Sequence, residues 1–395
     1  MTPVLAPRAE VADATRPLRV LCVSHTAVSR IGGRLRYGPL LGRADLEIHV
    51  VAPDRWHERG RWQPVDPPHA GDVAVHLSSI RWPRAGPAAW HLHHYTDLAR
   101  IMRRVGPQVI HLWQEPWSLV TLQAISLRNR LFPGVPVVLE VDQNILRRLP
   151  PPFERMRRSA LRQAGFVLTR SADARRVVQA CGYTGPSALI GYGVDPTVFR
   201  PAEREAARAR SGVKNFTVGY VGRLIAEKGL DDLLDAAALA ETPVTVAIMG
   251  EGPYRQTLLR RASALGLASR VRWQPWGPPH AVAQFMGGLD VLALLTRTTG
   301  QVREQFGRVV IEAQACGTPV IGSSCGAIPD VVGGGGWIVP ERDPVAVAGL
   351  LDRLARDPAT LEAARREGQR QVAERWGLAN VAETLASAWR SAADA

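Results

Sequence analysis

Cysteines, lysines and long apolar runs are scarce in this 395-residue sequence. These scarcities narrow the classes of protein to which the chain can belong. The four cysteines lie far apart without metal-ligand spacing, so we expect free thiols in a reducing cytoplasm. No uncharged apolar run reaches about eighteen residues, which argues against a membrane-spanning helix. The first residues lack a continuous apolar core, so we expect residues 1–16 to form a flexible tail and not a secretory signal.

Positive charge is concentrated in the N-terminal half. The formal charge is +13, and only two of the 49 basic residues are lysines, Lys214 and Lys228. Residues 1–196 hold 26 basic and 15 acidic side chains, a balance of +11, whereas residues 197–395 hold 23 and 21, a balance of +2. The electrostatic field of this positive charge attracts anionic ligands or anionic membranes. A solvated arginine-rich surface without a partner explains the charge balance equally well. Because no nucleic-acid-binding motif accompanies the charge, nucleic acid is not an expected partner.

Short β-branched segments alternate with helical patterns in both halves, which is typical of parallel sheets built from βαβ units. Two prolines and a charged run interrupt the alternation at 195–212, and it restarts at FTVGYVG. We therefore predict an α/β protein with domains at 17–198 and 199–374 and an amphipathic helix at 375–395. Several predicted strands run into glycine, at the strand ends where α/β folds bind ligands.

The most informative segment is EQFGRVVIEAQACGTPVIGSSCGAIPD, residues 304–330. We predict that Phe306 and Gly307 open a helix that contains Glu312. A helix N-terminus offers free N–H groups and a positive dipole to a phosphate, and glycine lets the backbone approach it closely. Glu312 can then accept two hydrogen bonds from a vicinal diol such as ribose, while Glu304 on the preceding loop faces a sugar. Without further context, two surface glutamates on an ordinary helix explain the same spacing.

This segment resembles the signature of glycosyltransferase family 4, E-G-F-G-x-x-x-x-E-A-x-A-x-G-x-P-V followed by G-x-x-P-[ED], with Gln305 in place of the common glycine. The resemblance covers residues 18–394. It implies the GT-B fold, in which two Rossmann-like domains face each other across a cleft and a C-terminal helix returns to the N-terminal domain. It also implies a catalytic role for Glu304. The residues that it places around the donor are Glu312, Phe306, Gly307 and Arg308.

A second resemblance to the family lies in GYVGRLIAEKGLDDLLDA, residues 219–236, where Arg223 and Lys228 stand between a strand and a helix. Two cations there can neutralise a pyrophosphate, arginine with a bidentate fork and lysine as a point charge. In the family the matching residues hold the donor diphosphate and support its departure, so we expect both to be catalytic. The alternative is a pair of solvent-exposed loop charges.

Two glycine loops extend the resemblance. SRIGGRLRYG contains Gly32 and Gly33, which match a family loop that closes over the donor phosphates, and its arginines at 30, 34 and 36 are candidates for contact with phosphate or acceptor. MGEGPYRQTLLRRA contains Gly250 in a strand-to-helix turn. A structural role for Gly250 explains that turn as well as ligand contact does, because the third glycine of a dinucleotide fingerprint is missing.

The acceptor-side candidates follow two predicted strands of the N-terminal half. They are Glu115, Asp142 and Gln143. Many family members carry a histidine after the second of these strands that touches the transferred sugar, and Asp142 or Gln143 stands there instead, which leaves the identity of the sugar open. Loop tryptophans either stack on a sugar or pack the loops down, and they are Trp56, Trp62, Trp82 and Trp90.

The resemblance implies a retaining transfer from a nucleoside-diphosphate sugar to a glycan, lipid-linked or small-molecule acceptor. Family members use front-face departure, in which the leaving phosphate helps to deprotonate the acceptor, so neither Glu304 nor Glu312 is expected to be a covalent nucleophile. Because no D-x-D motif occurs, we expect neither a metal nor another cofactor. A cytoplasmic location with peripheral contact to the inner membrane face is a further hypothesis. The alternatives are a non-catalytic nucleotide- or membrane-binding module and a GT-B-like nucleotide-sugar epimerase.

Overall fold

The computed structural model describes residues 16–58, 61–68, 72–82, 89–201 and 215–395. Residues 1–15 of the predicted tail and residues 202–212 of the predicted interruption lie outside the described residues. Two parallel sheets organise the described chain, one in each half. None of the helices in these ranges combines the length and the apolar character needed to cross a bilayer.

The N-terminal half is built on a seven-stranded sheet. Its strands, together with two short ribbons, are β1 (Leu18–Val23), β2 (Leu46–Pro53), β3 (Arg55–Glu58), β4 (Arg61–Pro64), β5 (Ala74–Ser78), β6 (Ile80–Arg81), β7 (His94–Tyr95), β8 (Val109–Trp113), β9 (Val137–Val141), β10 (Ala164–Thr169) and β11 (Ser187–Leu189). The sheet order is β11-β10-β9-β8-β1-β2-β5, and all neighbouring pairs are parallel. The antiparallel ribbons β3–β4 and β6–β7 lie outside it.

Helices connect these strands. They are α1 (Ala89–Leu92), α2 (Leu98–Val105), α3 (Leu119–Leu131), α4 (Pro151–Arg162) and α5 (Ala172–Ala180). Serine side chains cap two of them: Ser118 accepts a hydrogen bond from the backbone of α3, and Ser171 does the same for α5. Three short helical turns follow β1, at His25–Val28, Arg30–Arg34 and Leu35–Leu40.

The C-terminal half is built on a six-stranded parallel sheet in the order β14-β13-β12-β15-β16-β17. Its strands are β12 (Phe216–Val221), β13 (Val244–Met249), β14 (Val271–Gln274), β15 (Val291–Leu294), β16 (Val320–Ser323) and β17 (Gly336–Val339). The helices that follow are α6 (Leu230–Leu239), α7 (Arg255–Ala264), α8 (Pro279–Gly287), α9 (Arg308–Ala315), α10 (Ile328–Val332), α11 (Pro344–Arg356), α12 (Pro358–Gln371) and α13 (Leu378–Ala393).

Helix α13 packs on the N-terminal sheet although it follows the C-terminal sheet in the chain. Spacing by four residues places Val381, Leu385 and Trp389 on one face, and all three are buried against the core that includes β1. The fully buried ring of Trp389 lies 6.4 Å from Tyr37 and 5.9 Å from His111, between ring centroids. The predicted return of the C-terminal helix is therefore confirmed.

In both sheets the strand order reverses near the middle. The reversal lies between β1 and β8 in the N-terminal sheet and between β12 and β15 in the C-terminal sheet. Connections leave such a point toward opposite faces, and this opens a crevice at the carboxyl ends of the two central strands. His25 and Gln114 border the first crevice, and Gly222 and Leu295 border the second. The prediction of two Rossmann-like units is confirmed.

Candidate functional site

A cavity of about 270 Å³, the C-terminal cavity, opens at the crevice of the C-terminal sheet. Both predicted cations, Arg223 and Lys228, line it. Lys228 ends a short helical turn, and Gly229 follows with a positive φ of 68°. A Cβ atom on Gly229 would lie 2.1 Å from the carbonyl oxygen of Leu295, so only glycine lets this turn close against the end of β15. That close approach brings Lys228 beside the loop that carries Glu304.

Lys228 and Glu304 form an ion pair in the wall of this cavity. The distance from Lys228 Nζ to Glu304 Oε2 is 2.6 Å, and Thr296 Oγ1 donates to the same oxygen at 3.0 Å. The two charged side chains are only 18% and 15% exposed, so solvent and salt screen the pair less than a surface pair. An ammonium group has three donors, so Lys228 retains capacity for an anionic ligand while Glu304 orients it.

Helix α9 begins at Arg308, and Gly307 is its N-cap residue with a φ of 87°. Gly307 and Arg308 line the C-terminal cavity. Phe306 does not face the cavity with its side chain. Its ring is buried edge-on to Tyr192, at 5.4 Å, and to Trp376, at 5.1 Å, so it anchors the loop before the helix. The burial of Phe306 thereby fixes where the helix N-terminus points.

Glu312 lies in a neighbouring, narrower cavity of about 20 Å³. Its carboxylate is 3.3 Å from the guanidinium of Arg308 one turn earlier in α9, and burial raises the pKa of Glu312. Gly32 and Gly33 of the N-terminal half line the same narrow cavity. Because Arg308 lines both cavities, it connects the surroundings of Glu312 with those of Glu304.

Two of the predicted glycines have a packing role. A Cβ atom on Gly33 would lie 2.4 Å from the carbonyl oxygen of Thr26, and one on Gly250 would lie 1.9 Å from that of Gly222. Each glycine therefore lets two backbone segments touch. Gly250 is not in the lining of the C-terminal cavity, whereas the next residue, Glu251, is.

The arginines that follow Gly33 are buried and paired with protein groups. Arg34 Nε lies 3.2 Å from Asp72, and Arg36 Nη1 lies 2.6 Å from Glu140. Both side chains are almost fully buried. These ion pairs hold the loop and the sheet together, and Arg36 also lines the narrow cavity beside Glu312. Contact of these arginines with phosphate or acceptor stays a prediction.

A larger cavity of about 550 Å³, the N-terminal cavity, opens at the crevice of the N-terminal sheet and reaches Arg308. The three acceptor-side candidates line it. Glu115 Oε1 accepts backbone N–H groups from Asp142 at 3.1 Å and Gln143 at 3.0 Å, which ties the end of β8 to the end of β9. Burial, with the nearby charge of Asp142, raises the pKa of Glu115 to about 8.

The four loop tryptophans have different surroundings. Trp56 is buried, lines the N-terminal cavity and stacks on His25 with ring centroids 4.7 Å apart. Trp62 lies under the guanidinium of Arg55, and Trp82 is 64% exposed. The side chain of Trp90 lies outside the described residues. Of the described tryptophans in this group, Trp56 is the one in the cavity lining.

Contacts from the N-terminal half hold the loop that carries Glu304. Asn144 Nδ2 donates to the carbonyl oxygen of Glu304 at 2.8 Å, and Arg147 donates to that of Gln301 at 2.9 Å. Arg303 pairs with Asp173 at 2.9 Å. The position of Glu304 therefore depends on both halves of the chain.

Sequence analysis missed three side chains that shape these cavities. Asn144 gave no signal, because its partner is 160 residues away along the chain. Thr296 and Trp276 follow the ends of β15 and β14, and their place at the carboxyl ends of two parallel strands is the signal that marks them. Trp276 is 51% exposed at the edge of the C-terminal cavity. Among the described residues, no group of three or more His, Cys, Asp or Glu side chains is arranged to hold a metal ion.

Residues 202–371 match the family model described as "Glycosyl transferases group 1". The chain is 34% identical over 216 residues to D-inositol 3-phosphate glycosyltransferase 1 of Catenulispora acidiphila, covering 51% of this chain and 50% of that protein. It is 36% identical over 187 residues to D-inositol 3-phosphate glycosyltransferase of Frankia alni, covering 43% and 44%. The chain thus spans about half the length of the curated relatives it matches.

The solved structures that resemble this chain extend over both halves. HepE from Anabaena in complex with UDP and glucose has a TM-score of 0.70 at 18% identity, covering 95% of this chain and 100% of that chain. Sucrose-phosphate synthase from Thermosynechococcus elongatus has a TM-score of 0.72 at 19% identity, covering 94% and 98%. At this identity the likeness establishes the fold, and the GT-B arrangement expected from the sequence is confirmed.

Proposed function

We propose that this protein transfers a sugar from a nucleoside diphosphate to an acceptor hydroxyl group. The observation that carries the proposal is the Lys228–Glu304 pair, which lies beside Arg223 and the glycine-capped start of α9 in one cavity at a strand-order reversal. Cations and a helix N-terminus are suited to a diphosphate, and a carboxylate is suited to sugar hydroxyls. The group 1 glycosyltransferase match over residues 202–371 includes all of these residues and supports the proposal.

In this proposal the protein acts mainly by stabilising charge. Arg223 and Lys228 hold the diphosphate and stabilise the negative charge that develops on it as the anomeric C–O bond breaks. The acceptor oxygen bonds to the anomeric carbon on the face that the diphosphate leaves, and the acceptor proton passes to the departing phosphate oxygen. The products are a glycoside with retained configuration and a nucleoside diphosphate. Glu304 binds the sugar hydroxyls during this step.

The remaining donor contacts follow from the same arrangement. Glu312 binds the ribose diol, the amides at Gly307 bind phosphate, and the loop with Gly32 and Gly33 covers the phosphates from the N-terminal half. The exposed ring of Trp276 offers a stacking face for the base. The cations of the chain supply the charge neutralisation, so we propose that neither a divalent metal nor a cofactor is required. Transfer should persist in excess EDTA.

Donor hydrolysis tests the proposal without knowledge of the acceptor. The protein is incubated with UDP-, GDP- and ADP-hexoses, UDP-glucose first, and release of nucleoside diphosphate is measured. We expect slow release from one donor class and its loss in Lys228→Ala and Glu304→Gln. The matched controls are Arg366→Ala and Glu362→Gln, which change an exposed ion pair on α12 and should leave the rate unchanged.

The alternatives give different results in the same assay. Tight nucleotide binding without release of product from any donor would support a non-catalytic binding module and overturn the proposal. Conversion of one nucleotide sugar into another without release of nucleoside diphosphate would identify an epimerase. Either result would also remove the catalytic roles proposed for Lys228 and Glu304.

We also propose peripheral contact with anionic membranes through helices α2, α3 and α4. These helices pack side by side and carry exposed arginines, namely Arg103, Arg104, Arg130, Arg155 and Arg162. Basic side chains near a surface are attracted to anionic lipids, and salt screens that attraction. The protein should sediment with anionic vesicles at low salt and be released at high salt. Absence of binding at low salt would overturn this part of the proposal.

A further inference from the structure

Two arginines that lie beneath the N-terminal cavity, outside its lining, form ion pairs with a buried carboxylate. Arg36 and Arg170 both pair with Glu140, and Arg170 Nε also lies 2.7 Å from Asp142. The second oxygen of Asp142 accepts a hydrogen bond from the Trp113 indole at 3.3 Å. Both guanidiniums are buried, so neither can turn toward a ligand without leaving a buried carboxylate unpaired.

The histidines of this cavity provide no positive charge at neutral pH. Burial lowers the pKa of His25 to about 3 and also lowers the pKa of His91. His25 is stacked on Trp56, and its Nδ1 atom lies within hydrogen-bond distance of the Gln114 side-chain amide. Both imidazoles are thus neutral polar groups set among aromatic rings.

The remaining arginine in the described lining, Arg308, stands at the edge that faces the C-terminal half. It pairs with Glu312 at 3.3 Å, and its guanidinium lies 5.8 Å from the centre of the Tyr192 ring. Arg308 also lines the C-terminal cavity, where the proposed donor places a diphosphate. Its charge is therefore shared with Glu312 at the boundary of the two cavities.

A buried carboxyl oxygen in this cavity has no hydrogen-bond partner among the described residues. It is Glu115 Oε2, which is shielded from solvent, whereas Oε1 of the same carboxyl group accepts two backbone N–H groups. A buried oxygen without a partner is costly, and a ligand hydroxyl group would satisfy it. Amide side chains of Gln114, Gln143 and Gln305 add neutral donors and acceptors to the same lining.

From this lining we infer that the acceptor is an uncharged ring rich in hydroxyl groups, without phosphate or carboxylate, and that one of its hydroxyl groups contacts Glu115. The inference rests on the proposed function, because it assigns the N-terminal cavity to the acceptor. Hydroxyl groups match the neutral amides, and a ring face matches Trp56. Among the described residues of the lining, a phosphate in this cavity would lose its hydration and meet one arginine, Arg308, which is already paired with Glu312.

The inference separates this chain from the relatives named for D-inositol 3-phosphate. The family match extends over residues 202–371, whereas most of the lining of the N-terminal cavity comes from residues 25–192. The family match over residues 202–371 therefore says little about the acceptor, and the inference rests on the charge of the N-terminal cavity.

Matched pairs of acceptors test the inference. With the donor found by hydrolysis, release of nucleoside diphosphate above the hydrolysis rate is measured for neutral rings and their phosphorylated forms, such as inositol with D-inositol 3-phosphate and glucose with glucose 6-phosphate. We expect at least one neutral ring to be used, and used at least tenfold better than its phosphorylated form. Equal or better use of the phosphorylated forms, or use of neither form, overturns the inference.

A charge variant makes the test specific to the cavity. Gln143→Arg places a cation in the lining and should shift the ratio of rates toward the phosphorylated acceptor by at least tenfold. Gln179→Arg adds the same charge on the exposed face of α5 and should leave the ratio unchanged. An unchanged ratio in Gln143→Arg, with the melting temperature preserved, also counts against the inference. Absence of donor hydrolysis in the wild-type protein would instead refute the proposed function.

Discussion

The C-terminal cavity and the region beneath the N-terminal cavity contain the same kinds of charged side chain. These side chains differ in how much of their surface is exposed to solvent. In the C-terminal cavity, Lys228 and Glu304 are 18% and 15% exposed, whereas the side chains of Arg170 and Glu140 beneath the N-terminal cavity have no exposed surface. The attraction between opposite charges is stronger in a buried pair, but a partner that turns away leaves the other charge buried and unpaired. Exposure, and not residue type, therefore decides whether a charge can bind a ligand or only stabilises the fold.

The same distinction changes the meaning of the N-terminal charge. The balance of +11 includes arginines that are buried and paired, namely Arg34, Arg36, Arg157 and Arg170. Their fields are cancelled locally by carboxylates and carbonyl groups, so they attract nothing at a distance. The exposed arginines on α2, α3 and α4 contribute to the surface field, and they lie outside the lining of the N-terminal cavity.

The largest effect is expected from removing the shared anion beneath the N-terminal cavity. Glu140→Gln leaves Arg36 without a carboxylate partner and Arg170 with Asp142 alone, which should lower the free energy of unfolding by about 3–5 kcal/mol. Urea unfolding measures the change. Glu383→Gln, which removes an exposed partner of Arg43, should cause a much smaller shift. A loss below about 1 kcal/mol in Glu140→Gln would contradict the importance given to the buried cluster.

Acid should affect the same cluster. Burial opposes ionisation of Glu140, but Arg170 and Arg36 outweigh it and hold the pKa of Glu140 well below its usual range. A depressed pKa contributes stability above the unfolded-state pKa, and that contribution is lost as the pH falls through the folded-state value. Below about pH 4.5 the wild-type protein should therefore lose stability more steeply than Glu140→Gln.

The second effect concerns activity at the Lys228–Glu304 pair. Lys228→Ala removes a cation that the proposed mechanism uses in the transition state, so turnover should fall by about 10²–10³-fold with little change in melting temperature. Steady-state release of nucleoside diphosphate measures it, with Arg366→Ala as the control. Activity within a few-fold of the wild type would remove the role proposed for Lys228.

The pH dependence of stability tests the raised pKa of Glu115, and the expected effect is smaller. Because its pKa is raised from 4.5 to about 8, the folded protein binds a proton that the unfolded chain releases in this window. Stability should therefore fall as the pH rises from 4.5 to 8, by at most about 1.4 kcal/mol per pH unit from this group. Urea unfolding of Glu115→Gln should show a shallower fall than that of the wild type. Parallel curves would show that Glu115 ionises normally.

The smallest expected effect concerns the contact between the two halves. Asn144→Ala removes the hydrogen bond to the carbonyl oxygen of Glu304, which should cost about 1 kcal/mol and lower kcat by about fivefold. Asn129→Ala, which removes an exposed hydrogen bond to Gln163, is the matched control. If both variants retain the wild-type kcat, the position of Glu304 does not depend on Asn144.

Regular local patterns made much of the fold predictable. FTVGYVG became β12, Phe216–Val221, because a β-branched run that ends in glycine has few alternatives. Helix α2 begins at Leu98 because β7 at His94–Tyr95 pairs with β6, and no local pattern reveals that contact. Strand β17 is short and follows a run of glycines, so no local pattern predicts it.

Site residues that belong to a sequence motif could be predicted. Contacts that packing creates between distant parts of the chain could not. The family resemblance put Lys228 and Glu304 in one site, and the structure places their charged groups in contact. Their catalytic roles are still proposals. The ion pairs of Arg34 and Arg36 depend on Asp72 and Glu140, which are distant in sequence, so the sequence alone did not predict them.

The return of α13 to the N-terminal sheet affects how the protein is made. A ribosome completes β1 and its neighbours early, but Trp389 reaches their apolar face only after the whole second sheet has been synthesised. At a synthesis rate of about 5–20 residues per second, that face stays uncovered by α13 for on the order of ten seconds or longer. A nascent chain that stalls before Leu378 keeps the face open to chaperones and to other chains.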